Sequence, residues 1–259
     1  MKTNIHNNPW NAFLPYKEED AHKFKGRKKN VYELFELVQS HSTIVCYADS
    51  GIGKSSLINA GLSPLLRQNN YLPIKILFTE SDFISDKNLA MDNLVIKKLK
   101  DAIDESNKLN SEVEYRLERI SDFSNTDFKI FDKQFSDNSI WWLLHTHTIT
   151  CHAYGIKMCD CCPIFIFDQF EEVIIRSRNI KFVENFFNWY IDFSASSLPT
   201  NIEQACKEYD NEIFHRELIP GTPYKFLFSL RQDAVGMLDY WCNQRLRIPS
   251  LKDTRYYLL

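Results

Sequence analysis

Hydrophobic positions recur along this chain with two periods. Thr43–Ala48 (T-I-V-C-Y-A) is a short, mostly apolar run of β-branched and aromatic residues, which predicts a buried strand. Leu72–Thr79 (L-P-I-K-I-L-F-T), Ile164–Phe167 and Lys225–Leu230 have the same character and predict three more. Between them the spacing changes to that of helices. Val31, Leu34, Phe35 and Val38 share one helical face, and a helix is expected from Ser55 to Leu66 or Arg67. Met91, Val95, Leu99 and Ala102 mark a helix over 86–103, and Ile140–Leu144 belongs to another. Helices are expected at about 180–193 and 201–216, the latter with Ile202, Cys206, Tyr209 and Ile213 on one face. A last helix runs through Met237 and Leu238. Residues 104–136 are polar with scattered aromatics and read as a surface helix and loops. Strand, helix and strand in succession predict an α/β fold with a parallel sheet.

Three strands end in chemistry. The first runs into Asp49-Ser50-Gly51-Ile52-Gly53-Lys54-Ser55-Ser56. A strand, a glycine-bearing turn, Lys-Ser and a helix form the context of a phosphate-binding P-loop. Glycines let successive backbone N–H groups turn toward phosphate oxygens, and the helix N-terminus adds partial positive charge. Lys54 would reach the β- and γ-phosphates and Ser55 would bind Mg²⁺. Ala48 stands where the pattern G-x-x-x-x-G-K-[ST] has its first glycine, a small steric cost where φ is negative. Asp168 ends an apolar strand and suits a second Mg²⁺ ligand, although a strand-ending Asp is ordinarily a turn or cap residue. Glu171 or Glu172 could polarise an attacking water, and each is equally a solvated helix residue. Arg231 ends a strand expected beside that of Asp168. Its guanidinium suits a γ-phosphate, with a surface ion pair as the alternative.

Composition narrows the class. The 259 residues, 44% hydrophobic and 25% charged, are those of an ordinary globular protein large enough for one α/β domain or two small ones. A net charge of −3 offers no electrostatic surface for nucleic acid. No run approaches a membrane span, and the N-terminus has no apolar signal core. Seven cysteines, odd in number and unevenly spaced, fit reduced thiols in the cytoplasm. Seven His and Cys residues fall within 145–162, but their spacing matches no regular zinc pattern. That tract is read as a metal-free, variable loop.

Four blocks together resemble the STAND class of P-loop NTPases, particularly its bacterial novel STAND branch. They are Phe13–Tyr16 with Glu18–Ala21 and Phe24–Arg27; Gly51–Arg67 (G-I-G-K-S-S-L-I-N-A-G-L-S-P-L-L-R); Phe167–Glu172 (F-D-Q-F-E-E), similar to that branch's Walker B signature; and Leu227–Asp233 (L-F-S-L-R-Q-D). Ala12, Lys25 and Ala48 depart from the pattern. The resemblance implies an ASCE-type sheet of order 5-1-4-3-2 with helices on both faces. It also implies ATP or ADP with Mg²⁺ as the bound species, Gly26 and Arg27 at the adenine or ribose, and a slow switch that forms a homo-oligomer when activated. Residues 1–28 would be an N-terminal arm and 29–259 the nucleotide-binding domain. The helical, winged-helix and sensor regions of the class would lie beyond Leu259 and be absent from this chain. A defence or signalling role follows from the class alone. A scaffold that holds nucleotide without turnover is the competing reading.

Overall fold

A computed structural model describes residues 14–79, 91–109, 112–120, 126–176, 180–194, 197–208, 223–245, 251 and 254–258. Phe13 and the residues before it, the 86–90 part of the helix expected at 86–103, and the 209–216 part of that expected at 201–216 lie outside these.

In chain order, a 3₁₀ turn at Glu18–Asp20 precedes α1 (Lys28–Ser40) and β1 (Thr43–Ala48). The helical stretches Lys54–Ser56, Leu57–Leu62 and Ser63–Gln68 follow one another without a break and are together α2, π-helical at its centre. Then come β2 (Tyr71–Ile76), α3 (Met91–Leu109), β3 (Val113–Arg119), α4 (Thr126–Phe135), α5 (Ile140–Thr146), β4 (His147–Ala153) and β5 (Ile156–Phe167). A π-turn at Glu172–Arg176 leads to α6 (Ile180–Ser194) and α7 (Thr200–Glu208). β6 (Lys225–Arg231), α8 (Val235–Tyr240) and β7 (Arg255–Tyr257) complete the order.

Strand alternation builds a core on each face of the sheet. Ile44, Cys46 and Ala48 of β1, Ile164 and Ile166 of β5 and Leu227 of β6 meet Leu34 and Val38 of α1 and Leu57, Ile58 and Leu62 of α2. The residues between them, Val45, Phe165, Phe167, Phe226 and Phe228, face the other way. There Phe186, Tyr190 and Phe193 of α6 meet them edge-on, as at Phe167–Phe186 (5.3 Å) and Tyr190–Phe226 (5.1 Å). One face is thus aliphatic beneath α1 and α2, and the other is aromatic.

The sheet has seven strands, so its full order differs from the expected 5-1-4-3-2. The five parallel strands, taken alone, run β7-β1-β6-β5-β2. To them β3 and β4 add an antiparallel pair. β5 is long enough to serve both parts: Ile156–Cys161 pairs antiparallel with β4, and Cys162–Phe167 pairs parallel with β2. Two readings are corrected here. The 145–162 tract, expected to be a loop, is the end of α5 and a β-hairpin whose turn, Tyr154-Gly155, has both residues at positive φ (51° and 76°). The 104–136 stretch, expected to be a helix with loops, contains β3. The free edge of β3 is covered where Asn107 of α3 accepts from Tyr115 N (2.7 Å) and donates to Tyr115 O (3.1 Å). β7, not expected from the sequence, lies beside β1, and Tyr256 Oη donates to Glu33 of α1 at 2.7 Å.

Candidate functional site

The loop between β1 and α2 owes its shape to two glycines. Gly51 (φ +79°) and Gly53 (φ +95°) are left-handed, a conformation in which a side chain is strained. Ala48 is not among the left-handed residues, and its methyl is fully buried in the aliphatic core. The substitution at the head of the pattern is therefore accommodated as an ordinary strand end. Lys54, the first residue of α2, folds back: its Nζ donates to Ala48 O (3.1 Å) and Asp49 O (3.0 Å). Beneath the loop Cys46 is fully buried, and that burial raises its thiol to about 12.

β5 carries Asp168 to the same place. Asp168 N donates to Ile76 O at 3.2 Å, so the end of β5 stays tied to β2. The buried carboxylate accepts from Gln169 N (3.0 Å), and Gln169 itself is left-handed at φ +54°, a strained state for a residue with a side chain. The chain then crosses to β6. Phe170 N donates to Ser229 O (2.8 Å), and Arg231 N donates to Glu171 Oε2 (3.2 Å). Burial raises the Glu171 pKa, opposed by its backbone hydrogen bonds and by the charge of Lys54. The Arg231 side chain is half-exposed and grips Asp233, Nε to Oδ1 at 3.0 Å and Nη2 to Oδ2 at 2.5 Å.

These groups surround one cleft of about 660 Å³. Ser50, Gly51, Gly53, Lys54, Ser55 and Ser56 form one side, and Asp168, Gln169, Glu171, Glu172 and Arg231 form the other. Every residue expected to do chemistry lies on it, although neighbouring blocks are far apart in the chain, Ser56 from Asp168 and Glu172 from Arg231. Asp49 and Ile52 belong to the loop but not to the cleft wall. Gly26 and Arg27 are also off the wall; Arg27 Nη2 donates to Ile52 O at 3.3 Å and so touches the loop from the arm. Leu14 and Pro15 line the cleft without having been expected to, because Tyr16 N donates to Ser56 Oγ (3.1 Å) and pins the arm across the start of α2. Gln169 was likewise missed as a wall residue. Its signal was its place beside a strand-ending carboxylate.

The His and Cys tract lies apart from this cleft. Cys151 and Cys159 face each other across β4 and β5, and Cys159 Sγ is 4.0 Å from Cys161 Sγ. Among the described residues no group of three or more His, Cys, Asp or Glu is arranged to hold a metal ion. No described helix is long and apolar enough to cross a membrane.

Comparison with known proteins agrees with the fold. The model of the family Novel STAND NTPase 1 matches residues 9–206. No curated protein matches the chain. Among solved structures, the chain is similar to the Walker-type ATPase PABY2304 of Pyrococcus abyssi, at 13% identity and a TM-score of 0.50, over 96% of this chain and 57% of that one. A weaker likeness, at 11% identity and a TM-score of 0.40, is to the ORC2 protein of Aeropyrum pernix in its ADP form, over 96% of this chain and 50% of that one. The chain thus spans little more than half the length of the solved proteins it resembles. With its family model matched over well above half the sequence and an ATPase fold around the glycine loop, this chain belongs to the novel STAND NTPases.

Proposed function

We propose that the cleft holds an adenine nucleotide with Mg²⁺ and that the chain is a slow, nucleotide-dependent switch. The observation that carries this reading is the convergence of Lys54, Ser55, Asp168 and Arg231 on one cleft at the start of α2, beside two left-handed glycines. Backbone N–H groups of Ser50 to Gly53 and the N-terminus of α2 supply donors and positive potential for the β-phosphate. Lys54 exchanges its two loop carbonyls for phosphate oxygens. The Ser55 hydroxyl and the Asp168 carboxylate, on the two sides of the same cleft, are oxygen ligands of the type Mg²⁺ takes; the ion would neutralise phosphate charge there. Arg231 leaves Asp233 to meet the γ-phosphate. Glu171 is a positioning residue, because its carboxylate is committed to Arg231 N.

Residues 1–28 serve as an arm on a nucleotide-binding domain of 29–259. Homo-oligomer formation on activation, and a role in bacterial signalling or defence, rest on the likeness to the family and are proposed with it. The test is binding. Lys54→Ala is expected to weaken ATP and ADP at least about tenfold, by loss of a charge-assisted contact, with an unchanged circular dichroism spectrum. Unaltered affinity overturns the proposal.

A second reading, a scaffold that holds nucleotide without turnover, draws on two observations: Gln169 stands next to Asp168, and the Glu171 carboxylate is occupied by Arg231 N. Steady-state phosphate release at saturating Mg-ATP separates the two. Release no faster than that of Lys54→Ala favours the scaffold.

A further inference from the structure

A second cleft, of about 600 Å³, opens from the Ser55 and Asp168 end of the first. The two share Pro15, Ser55, Asp168 and Gln169. Its walls are the arm at Lys17–Glu19, Asn59 and Arg67 of α2, the outer strand β2, and α3 from Lys98 to Leu109. On the β2 wall is Lys75, an amine in an otherwise apolar strand (L-P-I-K-I). Lys75 lies opposite Ile166 in the register, so it shares the sheet face covered by α2, next to the strand that ends in Asp168. It makes no hydrogen bond or ion pair with any described residue.

Lys75 is half-buried, its stem set in the strand and its unpaired ammonium open to the cleft, where a solute anion can reach it. Burial lowers the Lys75 pKa, with Glu18, Asp168 and Glu105 opposing that shift. None of these acids neutralises it by contact. Glu18 is turned to Arg67 (Oε1 to Nε, 2.7 Å), Asp168 accepts from Gln169 N, and Glu105 is exposed on α3. Lys17, Lys98 and Lys108 line the rest of the cleft and also lack ion pairs among the described residues, whereas Glu19, Asp101 and Glu105 are its unpaired acids. The lining holds five cationic and five acidic side chains; with Glu18–Arg67 self-compensated, and with Asp168 engaged by Mg²⁺ under the nucleotide reading, four lysines would face three acids.

We infer that the inner end of this second cleft is a binding site for orthophosphate, with Lys75 as its principal ligand, and that phosphate split from the nucleotide rests there and leaves along the lysine-lined wall. The inference rests on the nucleotide reading above for the origin of the ion. The chemistry is hydrolysis: water adds to the γ-phosphorus, the bond from that phosphorus to the β–γ bridging oxygen breaks, and ADP and orthophosphate separate with release of a proton. The cleft is several times larger than one oxyanion, so the ion occupies only the Lys75 end and the remainder stays open to water.

The test uses the whole chain, calorimetric titration with potassium phosphate, and Lys75→Met, which keeps the bulk of the side chain and removes its charge. The variant should fold, because it removes a half-exposed charge that no neighbour pairs; Lys75→Arg serves as the charge-preserving control. In the presence of Mg-ADP, Lys75→Met should weaken phosphate binding about tenfold or more, and Lys75→Arg should retain most of it. ATP and ADP affinities should stay within about twofold in both, since Lys75 lies beyond the wall of the nucleotide cleft. In a single turnover of ATP, Lys75→Met should release phosphate sooner after cleavage than the parent does. Equal phosphate binding by parent and Lys75→Met overturns the inference, as does no phosphate binding by the parent. A selective loss of ATP affinity also overturns it, because Lys75 would then be a γ-phosphate ligand. Loss of the nucleotide reading has a different signature: the parent fails to bind ADP at all, while phosphate titrated alone still reports on Lys75.

Discussion

A switch must distinguish ATP from ADP, and the two differ only by the γ-phosphate, so some side chain has to bind that group in one state alone. Under the proposed reading Arg231 would be that side chain. Its backbone is held by Glu171, while its guanidinium lies half-exposed on Asp233, an ion pair of the kind worth little in water. Exchanging Asp233 for a phosphate in the cleft gains a charge-assisted contact, so Arg231→Ala should weaken ATP by about ten- to a hundredfold and leave ADP nearly unchanged. Titration of both nucleotides with Mg²⁺ checks this, and equal losses would make Arg231 structural. Glu171 yields a pH prediction. Burial raises its folded pKa above the ordinary value of 4.5, so it favours folding below that value and loses this contribution as pH rises through the folded pKa. Glu171→Gln keeps an acceptor for Arg231 N and removes the titration. Relative to the parent it should gain stability as pH rises above 4.5 in urea unfolding; a difference that stays constant through that rise would reject the prediction. At this scale Lys54, Ser55 and Asp168 were legible, because each belongs to a contiguous motif. The task of Glu171 was not, because it depends on β6, some 60 residues away, and sequence pattern left it level with Glu172.

Among elements, the clearest constraint is the close approach of α1 and the arm to α2. A Cβ on Gly61 would stand 2.5 Å from Val31 Cγ2 and 3.0 Å from Phe24 Cε1. Those side chains are packed, so Gly61→Ala should overpack the contact and cost about 1–3 kcal/mol. A lower urea midpoint with an unchanged slope would show it, and an unchanged midpoint would mean the arm gives way freely. The elements around this contact were readable, since β1, α2, β5 and β6 are apolar runs or regular helical patterns with motifs at their ends. The β4–β5 hairpin was not. Its turn is Tyr-Gly, outside the usual Asn-Gly and Asp-Gly signals, and its strands mix His, Cys and Thr with no clean alternation. β7 is only three residues long and has meaning only beside β1.

In the whole molecule, the arm, α2 and α3 are joined at one residue that no single element accounts for. Arg67 of α2 donates to Glu18 of the arm through Nε (2.7 Å) and to Ser106 of α3 through Nη1 (2.6 Å). This clamp sets the arm over both clefts, since Pro15 lines the first and the second alike, and Glu18 lines the second. The pair retains about a fifth of its exposure on each side (20% and 19%), so it is neither a surface pair nor a fully desolvated one. Removing one partner of a buried pair costs roughly 3–5 kcal/mol, largely because the other charge is stranded, and partial access to water reduces that here to about 2 kcal/mol. Arg67→Met should therefore lower stability by about that amount, free the arm to trypsin at Lys17 and Lys23, and weaken nucleotide binding by removing Pro15 from the cleft wall. If the stranded carboxylate is the main cause, Glu18→Gln in the same chain should recover most of the stability while leaving the arm loose. Urea unfolding and trypsin digestion of parent, single and double variants check the two parts separately. A double variant as unstable as Arg67→Met would mean that the lost packing and the lost Ser106 contact, rather than the charge, hold α2 to α3; an arm that stays protected in Arg67→Met would mean that Tyr16 on Ser56 and the packing at Gly61 suffice to close it.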